Sequence, residues 1–365
     1  RHLQNAGLQP ICVVGGATGL IGDPRKSGER VLNDKEIVES WAERLKFQIK
    51  RFLKFDSCDN AAKIVNNYDW TANISAIDFL REIGKNFRMG AMLAKEMVSN
   101  RLKSDEGLSY TEFSYQVLQG YDYYVLNKNE NVVLQTGGQD QWGNLMSGVD
   151  LIRRLTGENV HVMTTPLITD SNGNKFGKSE GGAIWLDANM MSPYKFYQFW
   201  LNVDDKEVIK LLKIFTFLSR KEIDNLAKDV EQNPGARVAQ KKLAEEVTKF
   251  VHGEEALDQA IKASGALFGR GDLAELSAET LAGAVNGLEV AELKIGDKIG
   301  QAFIDTKLET SFGNYRKTLQ SGGIYLNNQK VDDLNRLIQE EDILAQNIIL
   351  LRKGKKNLAA IKVVS

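Results

Sequence analysis

The run Ile11-Cys12-Val13-Val14 opens directly into Gly15-Gly16-Ala17-Thr18-Gly19, and this junction constrains the fold more than any other feature. A short β-branched apolar run that ends in glycines reads as a strand buried on both faces and closed by a tight turn. Such strands belong to parallel sheets covered by helices. The pattern recurs where Asn131 to Thr136 runs into Gly137-Gly138, and a third apolar run surrounds Val160, Val162 and Met163. Between them, Lys35 to Phe55 is helical, with Ile37, Trp41, Leu45, Ile49 and Phe52 on one face. Strands alternating with helices imply an α/β domain with a doubly wound parallel (Rossmann-type) sheet, over residues 1–190.

Past that point the pattern changes. Pro193 suits a first helical turn, and Phe196, Phe199, Trp200 and Val203 follow at helical spacing. Ser219 with Glu222 forms a capping-box pair, and Asn233-Pro234 starts a helix carrying Val238, Leu243, Val247 and Phe250. An α-helical domain is expected over 191–292. Beyond it, Ser321-Gly322-Gly323 and Asn327-Asn328 punctuate short β-like runs, giving a small α+β module over 296–365. From Lys294 onward twelve Lys/Arg stand against eight Asp/Glu, a net of +4, whereas the whole chain carries −1. Any contact with a polyanion therefore falls to local patches.

The two cysteines, Cys12 and Cys58, are far apart and form no CxxC pair. They supply neither a disulfide framework nor a thiolate zinc site and suit a reducing cytoplasm. No apolar run approaches the ~20 residues of a membrane span, so no membrane partner is expected. Arg1 to Pro10 lacks a signal-peptide core.

Three loops are candidates for phosphate chemistry. Gly15 to Pro24 follows a strand, where backbone N–H groups can approach a phosphate. Its glycines at 15, 16, 19 and 22 do not fit G-x-G-x-x-G, which disfavours a dinucleotide dehydrogenase. Gly177-Lys178-Ser179 is not the end of a Walker A loop either, because Asn172 stands where that motif needs glycine. Leu134 to Asn144 carries the second glycine turn. The third candidate, Asn172 to Ser179, sets Lys175 and Lys178 three apart among glycines. Alone it reads as a solvated turn; near a nucleotide it is a cationic clamp for a pyrophosphate leaving group.

Read together, four blocks resemble the tyrosyl members of the class I aminoacyl-tRNA synthetases. Lys175-Phe176-Gly177-Lys178-Ser179 is similar to their Lys-Met-Ser-Lys-Ser signature. Gly15 to Pro24 resembles their first glycine block, Phe113 to Asp122 their tyrosine-binding helix, and Leu134 to Asn144 their second nucleotide loop. The blocks stand in family order across the first half of the chain, and the C-terminal segment resembles an S4-like RNA-binding module.

The resemblance implies a tyrosine–tRNA ligase that takes ATP, with Mg²⁺, as a substrate and holds no tightly bound cofactor. Its partners would be L-tyrosine and tRNA(Tyr), in a cytoplasmic homodimer. Tyr115, Gln119 and Asp122 fall at i, i+4 and i+7, which puts them on one helix face. By the resemblance, Tyr115 and Gln119 join Asp23 around the substrate ammonium. Asp122 accepts from its phenol, Gln135 lines the tyrosine pocket, and Gln141 lies near the substrate carboxylate. Gly138 admits the nucleotide, and Asp140 holds its ribose. Lys175 and Lys178 contact the outer phosphates, with Lys26 and Arg30 from a loop about one residue shorter than is usual in the family. Tyr315, Arg316, Lys317, Arg352 and Lys353 are the candidate RNA contacts.

The main departure concerns histidine. Class I enzymes carry His-x-Gly-His after the first strand, and His2, His161 and His252 are none of them in that motif. His161 in an apolar strand and His252 at a helix end are expected to be structural. Roughly 50 preceding residues are inferred on the grounds of domain size and of the family resemblance, and without a central strand the chain alone is expected to be unstable and nearly inactive. Two other readings stay open. The sister tryptophanyl enzyme shares the fold, although Asp122 favours a phenol. A synthetase-derived RNA-binding protein without catalysis would not need the Lys175–Ser179 clamp.

Overall fold

The computed structural model describes residues 1–24, 32–56, 59–105, 107–169, 176, 178–179, 182–269, 271–354 and 357–364, with backbone alone at 96–97, 178–179 and 182. They form two compact units, Arg1–Phe176 and Gly177–Ser365.

In the first unit the described strands form two parallel pairs. β1 (Ile11–Val14) pairs with β2 (Lys63–Asn66), in register Val14↔Asn66. β3 (Leu134–Gly138) pairs with β4 (His161–Thr165), in register Gly138↔Thr165. Three long helices cover them: α1 (Lys35–Ile49), α2 (Tyr110–Glu130) and α3 (Trp142–Thr156). Helix α2 starts at Ser109, whose Oγ accepts from the Glu112 amide, and ends at Asn131 with a left-handed φ of 54°. Helix α3 ends at Gly157, φ 79°, a conformation that suits glycine.

Helix α2 is the bridge between the strand pairs. Asp122 reaches the segment after β2 through Asn67. The next residue, Tyr123, is fully buried, and its hydroxyl donates to the His161 carbonyl at the start of β4 at 2.8 Å. The start of α2 is fixed by a buried ion pair, Arg101 to Glu112 at 3.1 Å, with both side chains no more than 2% exposed.

Helix α1 buries a face offset by one residue from the expected one. Val38 and Ala42 are buried, while Ile37, Trp41 and Leu45 are 44–49% exposed. A Cβ on Gly19 would stand 3.0 Å from Val38 Cγ1, so the helix comes close to the glycine turn, where small side chains fit and Trp41 does not.

The second unit begins with a two-residue antiparallel pair, Lys178–Ser179 with Gly182–Ala183. Six helices follow: α4 (Pro193–Leu201), α5 (Asp205–Phe215), α6 (Arg220–Gln232), α7 (Val238–His252), α8 (Glu254–Ala266) and α9 (Ala278–Val285). Pro193 occupies the first turn of α4, and Ser219 with Glu222 makes the reciprocal capping box at α6. His252 meets Phe196 edge-on at 4.8 Å.

The chain then forms β5 (Val290–Leu293), α10 (Ile299–Asp305), α11 (Phe312–Gln320), β6 (Ile324–Leu326), β7 (Gln329–Lys330), β8 (Ile348–Lys353) and β9 (Asn357–Val363). The sheet order is β5-β9-β8-β6-β7, parallel only between β5 and β9. Alternation along β8 serves two cores. Ile349 and Leu351 pack with Phe303, Tyr315 and Leu319 of α10 and α11. Ile348 and Leu350 pack with Ala263 and Leu267 of α8 and its end. The helical segment and the sheet therefore share a core.

Two of the candidate RNA contacts need correction on this ground. Tyr315 is 1% exposed in the α10–α11 core. Arg352 is 8% exposed, stacked over the Tyr325 ring at 3.8 Å and donating to Asn328 and Gly354. Neither side chain faces an RNA surface. Lys353 is half-buried, its Nζ donating to the Leu308 carbonyl and 3.1 Å from Glu309. Arg316 and Lys317 are exposed.

Candidate active site

Asp122 is the best-defined polar group of the first unit. It is 4% exposed, and each carboxylate oxygen accepts one hydrogen bond. Asn67 Nδ2 donates to Oδ2 at 3.0 Å, and the Trp70 indole N–H donates to Oδ1 at 2.8 Å. Burial pushes the carboxyl up from 3.8 to about 6, against the opposing pull of the Asn67 and Trp70 donors. The ionised form has roughly four acceptor positions, of which these donors fill two. The carboxylate keeps capacity for one more O–H or N–H donor.

Asn67 is oriented by its own partners. Its Oδ1 accepts from the Ala17 amide at 2.8 Å, which leaves Nδ2 to donate to Thr18 Oγ1 at 3.0 Å as well as to Asp122. Asn66, one residue earlier, accepts from the Gly16 amide at 3.1 Å. The Gly16 and Ala17 amides are thus engaged by the two asparagines at the end of β2. A Cβ on Gly16 would lie 2.2 Å from Asn66 Oδ1, so close approach is what this glycine permits.

A second cluster forms around Asp23, just past the short helix Thr18–Ile21. Gln141 Nε2 donates to Asp23 Oδ2 and Asn144 Nδ2 to Oδ1, each at 3.2 Å. Gln141 and Asn144 stand at the start of α3, and Lys95 braces that turn. Its Nζ donates to the Gly143 carbonyl and to Ser147 Oγ, both at 2.6 Å. Burial lowers the Lys95 amine to about 8.

Tyr115 and Gln119 are half-buried on α2, two turns and one turn ahead of Asp122. Gln135 lies in β3, and its buried Oε1 has no hydrogen-bond partner among the described residues. Asp140 is exposed and folds back on the end of β3, its Oδ1 standing 2.5 Å from where a Gly138 Cβ would be. Lys26, Arg30 and Lys175 lie outside the described residues. Lys178 is described only as backbone, so the dilysine clamp is not part of this geometry.

Three side chains were not singled out by sequence: Asn67, Trp70 and Asn144. The available signal was position. Asn66-Asn67 closes the apolar run Ile64-Val65, and the carboxyl end of a parallel strand is where such sheets place ligand chemistry. Among the described residues no three His, Cys, Asp or Glu side chains come together as a metal site.

Residues 1–269 match the family model for class I tRNA synthetases (W and Y), and residues 280–361 match a tyrosine–tRNA ligase SYY-like C-terminal domain. The chain is 54% identical over 371 residues to the tyrosine–tRNA ligase of Bifidobacterium animalis subsp. lactis, covering 99% of this chain and 84% of the relative. Identity to the tyrosine–tRNA ligase of Streptomyces avermitilis is 51% over 364 residues, covering 100% and 86%. Among solved structures, a C-terminally truncated mitochondrial tyrosyl-tRNA synthetase from Coccidioides posadasii is 32% identical with a TM-score of 0.60, over 70% of this chain and 74% of that one. The first family model spans tryptophanyl and tyrosyl enzymes alike; the C-terminal match and these relatives decide between them. With a buried helix carboxylate held from the end of a parallel strand and these likenesses over nearly its whole length, the chain belongs to the tyrosine–tRNA ligase family of class I aminoacyl-tRNA synthetases.

Proposed function

We propose that the residues around Asp122 and Asp23 activate L-tyrosine with ATP and that the chain then transfers the tyrosyl group to tRNA(Tyr). The substrate carboxylate attacks the α-phosphorus of ATP in line, the bond to the bridging oxygen breaks, and pyrophosphate leaves. The hydroxyl of the tRNA terminal ribose then attacks the acyl carbon and releases AMP. Neither step needs a protein nucleophile, so orientation and charge stabilisation carry the catalysis.

The observation that carries this reading is the buried, doubly held Asp122 with acceptor capacity to spare. A phenol O–H fills that capacity; the phenyl ring of phenylalanine leaves it empty. An unfilled buried charged acceptor costs upward of ~1–3 kcal/mol, which is the source of discrimination. In this scheme Tyr115, Gln119 and Asp23 surround the substrate ammonium, with Gln141 and Asn144 fixing Asp23. Gln135 lines the ring pocket, Gly138 and Asp140 receive the nucleotide, and Lys26, Arg30, Lys175 and Lys178 gather on the phosphates. Mg²⁺ enters with ATP as the phosphates' counter-ion. Residues 1–190, 191–292 and 296–365 are the corresponding catalytic, helical and RNA-binding segments.

A cytoplasmic homodimer completes the reading. Its support is a set of exposed apolar side chains in the stretch 77–110: Ile77 and Tyr110 at 72%, with Leu80, Met89 and Leu102 near half. Among the described residues, no helix is long and apolar enough to cross a membrane. The test is pyrophosphate exchange by the protein expressed from its complete reading frame. Exchange should depend on tyrosine and not on tryptophan or phenylalanine, and Lys178→Ala should abolish it while tRNA binding persists. Exchange that survives Lys178→Ala, or that tryptophan supports equally, refutes the proposal.

A further inference from the structure

Helix α11 presents an aromatic side chain that the sheet core does not use. Tyr315 and Leu319 supply its buried contacts, at 1% and 6% exposure. Phe312, the first residue of the helix, is 55% exposed. Nothing in the local capping requires an aromatic there: the cap is Ser311, whose Oγ accepts from the Asn314 amide at 3.3 Å. The flank beside Phe312 is open, because a Cβ on Gly313 would meet only Ser311 Oγ, at 3.8 Å.

The surroundings of Phe312 are polar and cationic. Arg316 lies one turn further along the helix and Lys317 beside it; both are exposed, and neither joins an ion pair among the described residues. Lys307, ahead of the helix, is 81% exposed and only loosely paired, 3.9 Å from Glu289. Thr310, Ser311 and Asn314 are close in sequence, and between them and Lys307 stand the half-buried Leu308 and Glu309, the latter 3% exposed and held by Thr318 and Lys353. The remaining large exposed apolar residues of this part of the chain are Val290, Ile295 and Leu337, in other segments. A lone ring among polar groups lacks the apolar core that a protein partner or a second copy would bury. It has what an unpaired nucleotide needs: a flat π-face, adjacent cations, and the positive end of a helix dipole.

We propose that Phe312 is a stacking platform for one unpaired base of the tRNA, with Arg316 and Lys317 on the flanking phosphates. The inference rests on the tRNA-ligase reading and adds a base contact to it. The base must be unpaired, because stacked pairs in an A-form helix cannot offer a face to a side chain. The ring supplies affinity without charge, and the cations supply salt dependence.

Equilibrium tRNA binding across a salt series tests this on the full protein. Phe312→Ala should weaken binding about tenfold without changing the salt slope. Phe312→Leu, apolar but without a π-face, should weaken it as much, whereas Phe312→Tyr should keep wild-type affinity. Arg316→Ala should reduce the slope by about 1. The platform is overturned if Phe312→Ala binds within about twofold of wild type, if Leu rescues as well as Tyr, if a fully paired RNA hairpin stem loses affinity equally, or if the variant changes oligomeric state instead. Tyrosine-dependent exchange should be untouched in the Phe312 variants. Its absence from the wild-type protein would sink the ligase reading and not the platform, so the two failures are distinct.

Discussion

Replacing Trp70 by phenylalanine keeps a ring at the end of β2 and removes one N–H, the donor that holds Asp122 Oδ1 at 2.8 Å. The hydrogen bond favours the ionised carboxyl, so its loss raises a pKa already lifted to about 6 by burial. A hydrogen bond to a charged group contributes about 1.5–3 kcal/mol, and 1.36 kcal/mol is one pH unit. The lower figure gives a shift of about one unit, to near 7. If tyrosine binds the ionised form, the variant should bind it about fivefold more weakly than wild type at pH 6, about twofold at pH 7, and equally at pH 8.5. The assay is tyrosine affinity by calorimetry, or KM in pyrophosphate exchange, over that range. A loss equal at every pH would mean that Trp70 acts by packing alone, and no change at pH 6 would mean that Asp122 does not meet the phenol.

Three further substitutions probe the same framework. Asp122→Asn should abolish strong tyrosine binding yet stabilise the free protein at neutral pH. The folded carboxyl titrates near 6 and the unfolded one near 3.8, so between these values the folded state holds more protons and wild-type stability falls as pH rises. The ceiling of that gain is about 3 kcal/mol, reduced because the new amide opposes one of the two donors; chemical denaturation at pH 4 and pH 7 reads it. Gly16→Ala sets a Cβ 2.2 Å from Asn66 Oδ1, and the displaced asparagine pair should cost about 1–3 kcal/mol and weaken tyrosine binding. Arg101→Met leaves Glu112 buried without its 3.1 Å partner and should destabilise the first unit by about 3–5 kcal/mol. Arg101→Met with Glu112→Leu should recover most of that loss in the same melting experiment.

What the sequence revealed and what it hid follow from the range of each interaction. Tyr115, Gln119 and Asp122 were legible because a helix places i, i+4 and i+7 together regardless of context. The strand-to-glycine junction at 14–16 was legible for a similar local reason, whereas the second strand runs through both glycines, from Leu134 to Gly138. Asn67 and Trp70 act on a helix more than fifty residues away, and no local period reports that. Gly16 shows the same limit: glycine signals close approach but not by what, and here it is the Asn66 side chain. On α1, Trp41 and Leu45 weigh most in an apolar pattern, yet the narrow space beside Gly19 admits Val38 and Ala42. Tyr315 and Arg352 looked like RNA contacts because composition marks aromatic and basic residues without saying which way a strand or helix turns them.

Carbon-13 titration of the Asp122 carboxyl, free and with saturating ligand, tests the central assignment most directly. The account predicts a midpoint near 6 in the free protein, lowered by at least about one unit when L-tyrosine donates its phenolic hydrogen bond, and no lowering with L-phenylalanine. A free midpoint near the ordinary carboxylate value, or the same response to both amino acids, would contradict it.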